Sequence, residues 1–233
     1  MKYIIILTVL PPLFLLWYVY HIDKVEQEPV GLVFKLFIFG VLSCFPASRL
    51  EEIGEYLIYL GLGELYSVKA NLLMYFLVVA LAEEGLKYIF MYQGSWRDKA
   101  FNYRFDGIVY AVSVSIGFAL FENILYVVTS GEFAFATAAT RALTSIPLHT
   151  IAAIFMGHFY GQARYAYSRY REGECKLHLV LAIIVPVLIH GFYDFCLSVE
   201  STMLILIFYV YIILLDIFAF IKVRRYAKED VAV

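Results

Sequence analysis

The sequence predicts an all-α, polytopic membrane helix bundle with about seven transmembrane helices and one interfacial amphipathic helix, in a single domain over residues 1–233. Three observations predict it. The chain is 63% hydrophobic with a mean hydropathy of +0.79, whereas a soluble domain is only about half apolar. Apolar runs of about 20 residues, enough to cross the hydrocarbon core, recur along the whole chain and are joined by short loops. Twenty Tyr and twenty Phe cluster toward the ends of those runs, where interfacial belts form. The net charge of −2 gives no footprint for a nucleic-acid partner. Cys44, Cys175 and Cys196 show no paired spacing, so neither a disulfide framework nor a CxxC metal site is indicated.

The spans are read as Lys2–Tyr20, Val30–Ala47, Lys69–Tyr92, Asp106–Val128, Phe133–Tyr160, Leu179–Ser198 and Thr202–Lys222. The first resembles a signal peptide in length, but it lacks a small-x-small cleavage site and carries Pro11-Pro12 at its middle. It therefore reads as a retained span. Between spans two and three, Ser48–Leu65 sets Glu51, Glu52 and Glu55 on one side and Leu50, Ile53, Leu57 and Leu60 at helical spacing on the other. That pattern predicts a helix lying in the interface plane. Lys35 in span two reads as a snorkelling side chain.

Basic residues set the orientation. Arg97, Lys99 and Arg104 follow span three; Arg164, Arg169, Arg171 and Lys176 lie around the end of span five; Lys222, Arg224, Arg225 and Lys228 end the chain. The alternate loops, near Thr129–Glu132 and Val199–Ser201, carry acid and no base. The positive-inside rule then puts the C-terminus in the cytoplasm and, with seven spans, the N-terminus outside a cell membrane crossed many times. The first connection, His21–Pro29, is acidic and decides neither side.

The informative residues are polar groups inside apolar runs, where an ionisable side chain costs roughly 2.5–3.5 kcal/mol unless it is paired or hydrated. Glu83, Glu84 and Lys87 lie in span three. Lys87 can reach either acid at i+4 and i+3, which leaves one carboxylate uncompensated. Glu122 lies in span four beside Asn123 and one turn before Tyr126; His149 lies in span five; His190 and Asp194 form an i, i+4 pair in span six. Arg141 reads as an interface anchor. Scattered through lipid these groups would be costly, so they are expected to share one hydrated pocket among four helices, with neighbouring small residues permitting close approach.

Carboxylates and imidazoles in a wet intramembrane cavity suit peptide hydrolysis, which needs a base for water, a group that polarises the carbonyl and an acid for the leaving amine. Glu83, Glu84, Glu122, His149, His190 and Asp194 are the candidate catalytic residues, with Lys87, Asn123 and Tyr126 in support. Two imidazoles and a carboxylate also suit Zn²⁺. The candidate ligands are Glu122, His149 and His190, assembled across helices because no HExxH is present. A proton-coupled transporter would use similar groups but favours inverted repeats, and none is visible. A non-catalytic membrane scaffold would have to keep these charges without using them.

Glu83-Glu84-x-x-Lys87, Phe118-x-x-x-Glu122-Asn123, His149 and His190-x-x-x-Asp194, in that order over Lys69 to Ser198, resemble the PrsW family of bacterial intramembrane proteases. The outer spans match in character only. The resemblance implies a first, extracytoplasmic-side cut in a single-span, membrane-anchored anti-sigma factor during a stress response. Membrane lipids are the other partner. The family is related to the CAAX-prenyl endopeptidase and bacteriocin-processing group. By that relation Glu83 would be the water-activating base, His190 would stabilise the oxyanion and Asp194 would support it. At the second motif that group has Phe-x-x-x-His, where this chain has Phe118 and Glu122 with His149 as an additional imidazole. A zinc mechanism and a metal-free glutamic mechanism both fit.

Overall fold

The computed structural model describes residues 2–233. Nine α-helices follow in order among those residues: α1 (Lys2–Ile22), α2 (Val30–Leu62), α3 (Val68–Leu72), α4 (Ala80–Ser95), α5 (Asp106–Thr129), α6 (Ala134–Leu143), α7 (Ser145–Ser168), α8 (Glu172–Ser198) and α9 (Thr202–Lys228). A π-helical stretch, Leu73–Val79, carries α3 into α4 without a break. The described residues hold no sheet, only an isolated bridge between Tyr103 and Ala232.

Six helical stretches are long and apolar enough to cross a bilayer: α1, α2, α5, Gly131–Ser168, α8 and α9. The expected third span is the one outside that set. Its α4 portion has 16 residues and contains Glu83, Glu84 and Lys87. Length and apolarity alone establish six of the seven expected spans.

Two expectations about element boundaries are corrected. Ser48–Leu65 is not a separate interfacial helix. Pro46 is absorbed inside α2, which continues for 33 residues to Leu62 and stops where Gly63 takes φ 73° and donates to the Tyr59 carbonyl. At 1.5 Å per residue α2 is about 50 Å long, well beyond a hydrocarbon core of about 30 Å. The fifth span, expected as one helix from Phe133 to Tyr160, is broken at Thr144 (φ −126°, ψ −65°) into α6 and α7. Pro147 explains the break: it has no N–H to give to the Leu143 carbonyl, and its ring clashes with it. Lys35, expected to snorkel, is exposed, and its Nζ donates to the Gly94 carbonyl near the end of α4 at 2.7 Å.

The central helix is α5, buried on every side from Asp106 to Ala119, with α2 and α7 packed along it. Glycines make those contacts close. A Cβ on Gly40 would collide with the Val114 carbonyl, and one on Gly117 with the Phe37 carbonyl; Gly107 and Gly157 stand in the same relation across α5 and α7. Backbone-to-backbone approach of this kind is how helices associate where no hydrophobic force separates protein from lipid.

One end of the bundle gathers the basic loops and the chain terminus. Arg104 Nη2 donates to the Glu229 carbonyl at 2.9 Å, the Phe105 amide donates to Asp230 Oδ1 at 2.9 Å, and the Val233 amide donates to the Asn102 carbonyl at 2.8 Å. The first connection lies at the same end, since Asn102 Nδ2 donates to Glu26 Oε2 at 3.0 Å and the Tyr110 hydroxyl to Glu28 Oε2 at 2.6 Å. The acidic loop whose side the sequence left open thus shares an end with the basic ones.

Burial pushes the Asp23 carboxyl up to about 6, with the nearby Asp230 carboxylate adding to it, and burial pushes the Glu28 carboxyl up to about 7. Burial also raises Asp230. In an unfolded chain such groups titrate near pH about 4. The folded state therefore holds protons that the unfolded state has released. The stability they contribute is complete below about pH 4 and is lost as the pH rises through the folded values. Amide hydrogen exchange at Arg104, Phe105 and Val233 is expected to speed up, beyond its intrinsic pH dependence, between about pH 5 and about pH 8. Glu28→Gln should blunt the upper part of that change; a flat corrected profile in the unsubstituted protein would contradict it.

Candidate active site

The π-helical stretch delivers Glu83, Glu84 and Lys87 to the interior of the bundle. It packs closely enough on α8 that a Cβ at Gly191 would lie 2.7 Å from the Phe76 ring. Such stretches inside α-helices occur mostly at functional positions. From α4 the Lys87 ammonium makes three contacts: Glu84 Oε1 at 2.8 Å, Glu83 Oε2 at 3.1 Å and His149 Nδ1 at 3.1 Å. It also lies 4.0 Å from the centre of the Phe118 ring. Glu83, Glu84 and Lys87 are all buried.

Helix α8 adds His190. Its Nδ1 is 2.9 Å from Glu84 Oε1 and its Nε2 is 3.2 Å from Asp194 Oδ2, so the i, i+4 pair sits as its spacing predicts. Helix α7 adds His149 in its second turn, with Nε2 3.0 Å from Glu122 Oε2 of α5. The Ser115 hydroxyl ties the backbone of that turn to α5 by donating to the His149 carbonyl at 2.9 Å. The two imidazoles meet edge to face, with centroids 5.1 Å apart.

Arg141 is not an interface anchor. The break at Thr144 frees α6 to aim it inward, where Nη2 reaches Glu122 Oε2 at 2.8 Å and Nε reaches Asn123 Oδ1 at 3.0 Å. Its guanidinium lies 4.1 Å from the centre of the Tyr126 ring. Asn123 in turn donates to the Thr8 carbonyl of α1 at 2.9 Å. The Asn123 and Tyr126 side chains thus act on Arg141 rather than on the imidazoles.

A cavity of about 310 Å³ opens beside this network between α2, α4 and α5. Glu83 and Glu122 reach it, Phe118, Phe121 and Leu125 form an apolar wall, and Glu51 of α2 lines it as well. The sequence pattern places Glu51 on the solvated side of an interfacial helix; the continuation of α2 brings it to the cavity instead. No sequence signal marked Glu51 out from Glu52 and Glu55.

One donor atom each from Glu83, Glu84, His149 and His190 lie within 4.8 Å of one another. Of the expected ligands Glu122, His149 and His190, this cluster contains the two histidines, while Glu122 contacts Arg141 and the far nitrogen of His149. The donor set suits a divalent metal that takes nitrogen and oxygen ligands. Each imidazole turns Nδ1 toward the cluster and Nε2 toward a carboxylate, the arrangement that orients metal-ligating histidines. Glu84 Oε2 is buried without a partner.

Residues 28–221 match the family described as PrsW family intramembrane metalloprotease. The chain belongs to the PrsW family. Relatives named Protease PrsW include those of Oceanobacillus iheyensis, 34% identical with 94% of each chain covered, and Bacillus subtilis, 35% identical with 82% of this chain and 81% of the relative covered. The relative from Clostridioides difficile is 29% identical with 97% of this chain and 92% of the relative covered. No solved structure matches. Membership of the PrsW family makes this chain a multi-pass membrane peptidase.

Removing Lys87 would leave two buried carboxylates facing each other without their shared cation. Breaking a buried ion pair on one side costs about 3–5 kcal/mol. Lys87→Met is therefore expected to lower the unfolding midpoint of the detergent-solubilised protein sharply, whereas Arg49→Ala, which breaks an exposed pair with Glu52, should leave it nearly unchanged. Equal midpoints for the two variants would refute the central role of Lys87.

Proposed function

We propose that this family member makes the first cut, on the extracytoplasmic side, in a single-span membrane protein of the anti-sigma factor kind, with Glu83 as the base that activates water. One observation carries the reading. The donor atoms of Glu83, Glu84, His149 and His190 converge within 4.8 Å, and of the two α4 carboxylates only Glu83 also lines the cavity. Glu84 is fully buried between Lys87 and His190, which suits a positioning role better than proton transfer with a substrate.

The position of the site along the helices supports the side of the cut. Glu122 and His190 lie seven and eight residues before the ends of α5 and α8, and those ends are opposite the basic loops. That depth is roughly 10–12 Å from the helix ends. With the basic end in the cytoplasm, the site faces the outer leaflet and the C-terminus is cytoplasmic. A reporter enzyme active only outside the cytoplasm, fused after Val233, should be silent, and the same reporter inserted near Gly131 should be active; the reverse pattern would overturn the orientation.

In the proposed reaction the scissile peptide enters beside the apolar wall of Phe118, Phe121 and Leu125. Glu83 takes a proton from water as its oxygen bonds to the carbonyl carbon. The ammonium of Lys87 stabilises the oxyanion, His190 adds to the positive potential there, and Asp194 holds the His190 ring in register. Glu83 then passes its proton to the amide nitrogen as the C–N bond breaks, releasing a carboxylate and an amine. Glu84, His149 and His190 would hold a zinc ion, which supplies Lewis-acid polarisation of a carbonyl, and Glu83 stays free as the base.

Cleavage of a single-span substrate in reconstituted vesicles tests the reading. Glu83→Gln should lower the rate by about 10²- to 10⁴-fold while the protein remains in the membrane. The purified protein should carry one zinc per chain by mass spectrometry, and chelation should stop cleavage. Undiminished cleavage by Glu83→Gln sinks the assigned base, and full activity in metal-free protein sinks the zinc.

A further inference from the structure

A second cavity lies outside the catalytic network. It has a volume of about 570 Å³ and opens at the basic end, between the C-terminal ends of α4 and α7 and the first turns of α8. Its floor is aromatic. Trp96 stacks on Tyr92 with centroids 5.1 Å apart and meets Tyr167 edge-on at 5.6 Å. Its mouth is cationic. Arg171 and Lys176 line it with a single acid, Glu172. Arg164 lies 5.6 Å from the centre of the Trp96 ring, and Arg171 has only a long contact, 3.4 Å, to Glu174.

Three further features converge there. Helix α8 begins at this mouth with no side-chain cap, so its first N–H groups are open to an anion. Tyr170 on the rim holds φ 59°, a conformation that costs a non-glycine residue of order 1–3 kcal/mol, and the residue is 94% exposed. Below the mouth, Lys176 heads a ladder at i, i+4 spacing through Val180, Ile184 and Leu188, which are 50%, 47% and 54% exposed. A cation above a continuous exposed apolar stripe matches a molecule with an anionic head and an alkyl tail.

We infer that this pocket binds an anionic glycerophospholipid, with the phosphate at Arg171, Lys176 and the start of α8, the glycerol region against Trp96 and Tyr167, and an acyl chain along Val180, Ile184 and Leu188. Basic pockets between membrane helices are suited to such headgroups, and the volume lies within the range of small-molecule sites. The site is independent of the catalytic reading, since none of its residues touches the Glu83 network.

The test compares thermal unfolding of the full chain in neutral detergent with added phosphatidylglycerol, phosphatidylcholine or inorganic phosphate, alongside native mass spectrometry. Phosphatidylglycerol is expected to raise the unfolding midpoint by several degrees and to be retained at one molecule per chain; phosphatidylcholine should do neither. Arg171→Glu with Lys176→Glu should abolish both effects while keeping the midpoint seen in phosphatidylcholine. The milder Arg171→Gln with Lys176→Gln should weaken them if the first pair folds poorly. Arg224→Glu with Lys228→Glu, at the same end but outside the pocket, should keep both. An equal shift from inorganic phosphate would assign the pocket to free phosphate and overturn the lipid. So would equal responses to the two lipids, or an undiminished response in the pocket variants.

Discussion

The structure depends on how the Lys87 ammonium is held. In the hydrocarbon region a lone charge is expensive, and so is each carboxylate near it. Lys87 resolves both costs by touching Glu83, Glu84 and His149 at once, which ties α4 to α7. His190 extends the same network to α8 through Glu84, and Glu122 extends it to α5 and, through Arg141, to α6. Five helical elements are thereby locked in register by side chains that would be unfavourable anywhere else in the bilayer. The glycine contacts of α5 with α2 and α7 supply the close approach that these short polar bridges require.

This arrangement also separates roles among like residues. Glu83 and Glu84 are adjacent in sequence, yet one lines a cavity while the other is sealed between a lysine and a histidine. The two imidazoles are each held from behind by a carboxylate, Glu122 for His149 and Asp194 for His190. Water access therefore distinguishes groups that composition makes equivalent. A membrane protease must admit water to one point without letting it run along the helices. The apolar wall of Phe118, Phe121 and Leu125 beside Glu83 and Glu122 is suited to that.

Much of this was legible in the residues, because the price of charge in lipid is so high that Glu83, Glu84, Lys87, Glu122, His149 and the His190–Asp194 pair could be expected to meet. Helical spacing alone gave the contacts of Lys87 with both acids and of His190 with Asp194. What stayed hidden depended on backbone events with ambiguous signals. Pro46 and Pro147 are both proline in apolar runs, yet α2 absorbs the first while the helix breaks three residues ahead of the second. The first outcome carries Glu51 to the cavity, and the second turns Arg141 from the membrane surface onto Glu122. Which nitrogen of His149 faces Glu122 and which faces Lys87 is decided by the rotamer of the ring, and periodicity does not report it.

The π-helical run at Leu73–Val79 makes helix phase a quantity this chain must conserve. An α-helix advances about 100° per residue, so loss or gain of a single residue there would swing Glu83, Glu84 and Lys87 more than a quarter turn relative to the start of α3, where the Ser67 hydroxyl accepts from the Ala70 amide. Chain length in that run is thus under tighter constraint than its residue types. A drift among Leu, Met, Val and Phe would leave the polar network aimed as it is, whereas a one-codon deletion would point three charges at the lipid.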